Sequence, residues 1–423
     1  RRGEKIADSV ATLEVNVGNR NGLVEVVISA SVDDRPIAEL EKLGVGAIQS
    51  LSRYNTLSAR MPLESLESVA SLKQVRFIQP KPQVRRSPGK AAYGNSTESL
   101  EEGGREQVLG LVPRLESVIN KRAATIATAS HLETIVSEGD KTHRASAARG
   151  TFNTDGSGVK IGVISDGVEN LEEAQTSGEL GAVTVVGTRG QGDEGTAMLE
   201  IIHDIAPGAE LYFSTGLPVV AAFADSVRSL RNAGCDIIVD DLSYYVESPF
   251  QDGQAPNVIS LLNGGVVTQA VNDVVADGAL YFSSAGNSGN LSDGTSATWE
   301  GDFSDGGILT SDEFVLGNVH DFDPTGAVAQ YNTIVAGAQA PISLHWADPL
   351  GASSNDYDLY VLNQFGGIAT LSNNVQNGTQ DPYEQNSTWN VSRARIVIVR
   401  QPGAEGRFLH VSNFDGLLDY STG

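Results

Sequence analysis

The amino-acid sequence predicts an α/β protein built on a doubly wound parallel sheet, with a small α+β domain before it and an all-β sandwich or jelly roll after it. Three observations predict this. Between residues 159 and 284, short apolar runs alternate with stretches of helical period, as strands joined by crossover helices require. Residues 22–80 follow the order β-α-β-β-α-β, and from about Phe314 the helical period gives way to short alternating runs separated by Asn, Gly and Ser turns.

In the first 80 residues, 24–29, 56–61 and 74–78 have the alternation of strands, 36–43 and 63–72 have helical spacing, and 48–51 is a weak extra strand. That order is the ferredoxin-like arrangement. A polar stretch from Pro80 to about Glu106 follows, containing Arg85-Arg86-Ser87-Pro88-Gly89, a composition that suits an exposed linker open to proteolysis. Helical spacing returns at 107–121, 129–138 and 142–148.

The rhythm then becomes that of the parallel sheet. Strands are expected at 159–165, 183–187, 210–214, 236–240 and 278–284, with helices at 195–205, 219–233 and 265–275. Alternating runs at 342–346, 357–362, 394–400 and 407–411 supply the β-sandwich. The expected units are therefore 22–80 (α+β), 81–150 (linker and helical segment), 151–313 (α/β core) and 314–415 (β-sandwich).

Charge divides the chain near residue 150. Residues 1–150 hold 21 Lys+Arg and 18 Asp+Glu, whereas 151–423 hold 8 and 35, so the net charges are +3 and −27. So acidic a surface repels nucleic acid and anionic membrane, and neither is expected as a partner. No apolar run approaches the roughly 20 residues of a membrane helix, and Arg1-Arg2-Gly3-Glu4 lacks a leader's apolar stretch. Cys235 is the single cysteine, which excludes an internal disulfide; in the run Cys235-Asp236-Ile237-Ile238-Val239 it reads as a buried structural thiol.

Three segments at expected strand ends carry the chemistry, where functional residues of parallel sheets collect. They are Gly158-Val159-Lys160-Ile161-Gly162-Val163-Ile164-Ser165-Asp166-Gly167, then Gly192-Asp193-Glu194-Gly195-Thr196-Ala197-Met198, and Ser283-Ser284-Ala285-Gly286-Asn287-Ser288-Gly289. In order and spacing they resemble the aspartate, histidine and oxyanion-asparagine segments of subtilisin-like serine peptidases, over about 130 residues. The resemblance implies a subtilisin-like core, with Asp166 orienting the proton carrier and Asn287 donating to the developing oxyanion. It also implies that residues 22–80 act as an intramolecular propeptide.

At the histidine's place, before the same Gly-Thr, stands Glu194. No histidine substitutes for it: His203 lies nine residues along the same helix, about 180° around, and His131, His143, His320, His345 and His410 fall outside the core strands. Sedolisins, which share the fold, use a Ser-Glu-Asp set with glutamate in that place, and Glu194 resembles theirs. The chain departs from sedolisins at Met198, one turn later, and at Asn287, where that family has aspartates. A subtilisin-type Asp166 and Asn287 thus accompany a sedolisin-type Glu194.

Two adjacent carboxyls do not both ionise readily, so Asp166 and Glu194 are expected to share a proton and to work under acidic conditions. Asp241, in Val239-Asp240-Asp241-Leu242-Ser243-Tyr244, is a further candidate proton partner for Glu194, or a turn cap. Gly294-Thr295-Ser296-Ala297 imitates the serine signature, but it follows Asn287 by only nine residues and lacks an apolar helix, so Ser296 reads as a loop residue.

The resemblance implies a secreted or cell-surface serine-type endopeptidase precursor acting on polypeptides, its serine segment not yet reached at Gly423. A catalytically inactive binding protein on the same fold is the alternative. No cofactor is required by this chemistry. Structural calcium is compatible with it, although Asp356 and Asp358, alternate carboxylates on one strand, do not by themselves make a cage.

Overall fold

The computed structural model of the chain describes residues 23–30, 34–81, 84–85, 135–250, 265–310, 314–323, 325–337, 341–387, 393–413 and 416–422. Its N-terminal domain runs β1 (Leu23–Ala30), α1 (Asp34–Lys42), β2 (Gly46–Leu51), β3 (Thr56–Pro62), α2 (Leu66–Ala70) and β4 (Val75–Pro80). The antiparallel sheet has the order β2-β3-β1-β4. Val24, Val26 and Ile28 alternate along β1 into a core shared with Leu40, Leu57, Met61 and Val69, the two-residue period that made the strand legible.

A two-residue strand, β5 (Val84–Arg85), follows, then α3 (Glu138–Thr142) and α4 (Ala145–Phe152). The single helix expected over 142–148 is two, because Arg144 adopts a left-handed φ of 59° between them. The helix expected at 107–121 and residues 129–134 of that expected at 129–138 lie outside the described residues; 135–137 are not helical, and Glu138 opens α3.

The α/β core contains β6 (Lys160–Ser165), α5 (Leu171–Ser177), β7 (Val183–Val185), α6 (Glu194–Ile205), β8 (Glu210–Thr215), α7 (Val220–Asn232), β9 (Ile237–Asp240), β10 (Ser243–Tyr244), α8 (Val266–Ala276) and β11 (Leu280–Ser283). Five strands form a parallel sheet in the order β11-β9-β6-β8-β7. Helices α5 and α6 pack Leu171, Leu199 and their neighbours on one face of it, around Val163 and Phe213. Helices α7 and α8 pack Phe223, Leu230, Ala270 and Val274 on the other, around Ile164 and Ile238. The expected strands and crossover helices are all present. Helix α5 had no expectation, because only Leu171 and Ala174 of it are buried and two positions set no period.

After β11 come a two-stranded ribbon, β13 (Leu309–Thr310) with β14 (Val315–Leu316), and a β-sandwich with one sheet in the order β12-β21-β16-β19 and one in the order β18-β17-β20-β15-β22. The first comprises β12 (Thr298–Asp302), β16 (Pro341–Trp346), β19 (Tyr383–Ser387) and β21 (Phe408–Ser412). The second comprises β15 (Asn332–Gly337), β17 (Tyr357–Leu362), β18 (Ile368–Ser372), β20 (Arg395–Arg400) and β22 (Gly416–Leu418). This corrects the expected start at residue 314 and end at 415. β12 pairs with β21, and its Trp299 lies in the sandwich core with Trp346, Tyr357 and Leu418. Thr298-Trp299-Glu300-Gly301-Asp302 carries one apolar side chain, so its alternation was invisible.

The N-terminal domain rests on the core at two places. Val27, Leu51 and Tyr54 pack on Val219, Ala221 and Ala222 at the start of α7. Arg228 of α7, its side chain 8 % exposed, donates to Tyr54 Oη at 2.7 Å while paired with Asp273 of α8. Farther on, β5 adds antiparallel to β10. The sandwich touches the same region of the core: the His345 ring Nε2 meets Tyr245 O at 2.9 Å, and the rings of Phe250 and Phe408 meet edge-on.

Candidate active site

The order of the parallel sheet reverses about β6, whose neighbours are β8 and β9. Beyond the carboxyl ends of these strands lies the crevice where open α/β sheets hold their ligands. Asp166 follows β6, Thr215 closes β8, Asp241 follows β9, and α6 begins at Glu194.

Asp166 is 5 % exposed and tightly held. Its Oδ1 accepts the backbone N–H groups of Gly167 at 2.5 Å and Glu194 at 3.1 Å. Its carbonyl accepts the Thr215 hydroxyl at 2.8 Å and the Gln191 N–H at 3.2 Å. Helix α6 therefore starts on the Asp166 carboxylate, a negative charge at the positive end of a helix.

The loop that makes this possible is glycine-rich for steric reasons. Gly192 has a φ of +109°, and a Cβ there would lie 1.9 Å from Asp166 Oδ2; one on Gly190 would lie 2.0 Å from Asp166 O. At Gly195 it would lie 2.5 Å from the Phe213 ring. The close approach expected of Gly195 is thus present. Asp193 completes the clamp, accepting from Asn170 N at 2.9 Å, Asn170 Nδ2 at 2.8 Å and the Thr196 hydroxyl at 2.6 Å.

Asp241 comes to Glu194 from the β9 side. Burial pushes its carboxyl up to about 7; the Ser165 hydroxyl opposes the rise, and the charge and hydrogen-bonding position of Glu194 add to it, with Asp240 behind. Among the described residues neither Asp241 oxygen has an acceptor or donor within ordinary hydrogen-bond distance, and Glu194 acts on it as a neighbouring carboxyl. Asp241 is a raised carboxyl on which Glu194 acts, and Asp166 accepts the first backbone N–H of the Glu194 helix.

Asp240, adjacent in sequence, turns to the other side of the sheet. It accepts from Tyr281 Oη at 2.6 Å and Ser283 Oγ at 3.0 Å, and burial raises its carboxyl to about 6 against those two donors. The sequence reading missed this residue, as it missed Thr215 and Asp193. The Asp240-Asp241 doublet at a strand end was the available signal, since alternation sends neighbouring side chains to opposite faces.

Asn287 lies exposed on the loop after β11, at the same end of the sheet. Ser296 is sealed at 1 % exposure, its hydroxyl accepting the Thr298 N–H at 3.0 Å as the chain enters β12. Asp356 and Asp358 lie at the start of β17, where Asp358 Oδ2 accepts Gln401 Nε2 at 2.6 Å and Asp356 Oδ1 accepts the Gln376 N–H at 3.2 Å. Among the described residues, no three His, Cys, Asp or Glu side chains are grouped to hold a metal ion. Nor is any described helix long and apolar enough to cross a membrane.

No family model and no curated protein matches the chain. Solved structures do. The epidermin leader peptide processing serine protease of Staphylococcus aureus aligns with a TM-score of 0.34 at 11% identity, over 64% of this chain and 62% of that one. A serine-to-alanine mutant of the same protease gives 0.33 at 12%, over 64% and 63%. Fervidolysin from Fervidobacterium pennivorans, described as a keratinolytic enzyme related to subtilisin, gives 0.30 at 11%, over 94% of this chain and 54% of that one. The chain spans less than two thirds of the length of each, and a likeness of this degree assigns no residue a role.

One face of the sheet is left partly bare beside this site. Leu280 and Phe282 of β11 are 58 % and 56 % exposed, in register with Ile237 and Val239 of β9, which pack toward α6. Residues paired in register share a face, so the bare strip continues the face that carries α6. Ile201, on α6 itself, is also exposed.

Proposed function

We propose that this chain is the precursor of a secreted or cell-surface serine-type endopeptidase of the subtilisin–sedolisin kind, with a carboxyl pair in place of histidine. The observation that carries the reading is the meeting of Glu194 and Asp241 at the carboxyl end of the parallel sheet, with Asp166 fixing the start of the Glu194 helix. Burial and the charge of Glu194 raise Asp241, and a carboxyl raised in this way takes a proton from a hydroxyl nucleophile and returns it to the leaving amine. Asn287 is assigned to the oxyanion, where one amide donor contributes about 3–4 kcal/mol. The N-terminal domain, seated on α7 and β10, acts as an intramolecular propeptide.

Ser296 does not serve as nucleophile, because its hydroxyl is spent on the Thr298 backbone out of contact with solvent. The reading seats the helix that bears the serine on the exposed strip of Leu280 and Phe282. Peptide hydrolysis by a chain carrying that segment tests it. Activity peaking below neutrality, and falling at least about 100-fold in both Glu194→Gln and Asp241→Asn, is expected. An optimum well above pH 7, or full turnover by Glu194→Gln, overturns the assignment.

The sealed Ser296 also favours a second reading, an inactive binding protein on this fold. No hydrolysis at any pH by the extended chain, with peptide binding retained, selects it.

A further inference from the structure

The proposed base leaves open what holds its ionised form in place, and the end of β6 supplies an answer that rests on that reading. Two rungs of the parallel sheet fix the geometry: Ile161 pairs with Ile237 and Val163 with Val239, and all four pack toward α6. Partners in register share a face, and every second residue returns to it. Two positions after Val163 and Val239 stand Ser165, the last residue of β6, and Asp241, just beyond β9. Both therefore leave the sheet on the face that carries α6 and, at its first residue, Glu194. The intervening pair, Ile164 and Asp240, serves the opposite face, where Asp240 meets Tyr281 and Ser283.

Ser165 is fully buried. Its Oγ and both Asp241 oxygens have no hydrogen-bond partner among the described residues. Two neighbouring hydroxyls are already engaged. Thr215, the register partner of Ser165 on β8, donates to Asp166 O and accepts the Leu217 N–H, and Thr196 of α6 donates to Asp193. A buried polar atom without a partner is costly, and one bond between Ser165 and Asp241 relieves a donor and an acceptor together. The titration has the matching direction: burial raises Asp241, Ser165 opposes the rise, and Glu194 and Asp240 add to it. The titratable groups about this carboxyl are thus Glu194 on α6 and Asp240 on its own strand, with Tyr281 of β11 behind Asp240 and Asp166 at the end of β6. None of these is a cation, so a neutral hydroxyl is the donor at hand.

We propose that Ser165 is a positioning residue for the base, its hydroxyl donating to Asp241 while that carboxyl is ionised and accepting from it once it is protonated. A hydroxyl is donor and acceptor at once and rotates to suit its partner. Ser165 therefore follows the proton that Asp241 takes from a nucleophile, keeps its own, and holds the carboxyl on the face it shares with Glu194 in both states. No covalent bond to Ser165 is made or broken.

The experiment follows single carboxyls in the full chain and needs no turnover. Aspartate carboxyls labelled with carbon-13 are titrated by NMR, the Asp241 signal being the one lost in Asp241→Asn and the Asp240 signal the one lost in Asp240→Asn. Ser165→Ala, checked for an unchanged circular dichroism spectrum, should move the Asp241 midpoint to higher pH, a gain of about 10-fold in proton affinity and the scale of one hydrogen bond to a charged group. Ser165→Thr, which restores a hydroxyl, should stay nearer the original midpoint. Asp240, bonded on the opposite face, should keep its midpoint in both variants, which a general loosening of the sheet would not allow. An Asp241 midpoint that stays or falls in Ser165→Ala, an equal rise in Ser165→Thr, or an equal rise at Asp240 overturns the inference. Absence of hydrolysis in the extended chain would discard the peptidase reading and leave this titration standing. An unmoved Asp241 would discard the role of Ser165 and leave hydrolysis to decide the base.

Discussion

Asp166 Oδ1 receives the backbone N–H of Glu194 at 3.1 Å, joining the end of β6 to the first residue of α6 across 28 positions of sequence. That bond fixes where α6 begins, and so where the Glu194 side chain leaves the helix. It depends on a loop that passes the Asp166 carboxylate without a side chain.

Gly192→Ala tests that dependence. Its Cβ would lie 1.9 Å from Asp166 Oδ2 at a φ of +109°, so the loop must retreat and the helix start with it. A loss of about 1–3 kcal/mol is expected from the strained backbone alone, read as a lower midpoint in urea unfolding. Gly187→Ala, also at positive φ but with nothing within 4 Å of its Cβ, isolates the backbone part. Equal losses in the two variants would mean that the contact with Asp166 is unimportant.

The buried carboxyls set the sign of the pH dependence. Burial raises Asp240 and Asp358 to about 6, Asp241 and Glu384 to about 7, and Glu247 to about 8. Unfolded, each titrates near 4. Between about pH 4 and pH 8 these five groups bind more protons folded than unfolded and outnumber the buried His320 and His345, which burial lowers to about 4 and about 3, so stability falls as pH rises through that window. Urea midpoints should be higher at pH 5 than at pH 8, and Glu384→Gln, which stays neutral, should narrow the gap. A midpoint that climbs from pH 5 to pH 8 would contradict the burial of these groups.

Tyr54→Phe should loosen the N-terminal domain without disturbing either fold. Tyr54 Oη accepts from Arg228, whose guanidinium is nearly buried and also bound to Asp273. Deleting an acceptor for a charged donor costs about 1.5–3 kcal/mol. Hydrogen exchange should quicken at the start of α7 and along β10 while the strands of the parallel sheet keep their protection. Unchanged exchange at β10 would show that β5 holds its place without this contact.

The sequence carried much of the fold in its periods. Val24, Val26 and Ile28 marked β1 by alternation, and Met198, Leu199, Ile201 and Ile202 were read as the buried face of α6, of which Ile201 is exposed instead. It did not mark α5 or β12, because two buried positions in the one and a lone Trp299 in the other set no period. In the candidate site, Asp166 and Glu194 were legible from the segments around them. Asp241 was a candidate partner for Glu194 from its place at a strand end, with a turn cap as the other reading, whereas Asp240 needed the fold, since Tyr281 and Ser283 lie more than 40 positions after it.

By itself the sequence determined the strands and crossover helices whose apolar residues recur at a fixed spacing, and which end of the sheet bears its acidic side chains, because spacing along a chain is a local property. Only the tertiary structure decided that Asp241 meets Glu194, that Asp240 turns away to Tyr281, and that β5 adds to β10. Those contacts join segments far apart in the chain. They are selected by packing and strand register, which weigh whole faces against one another and leave no periodic trace in either partner.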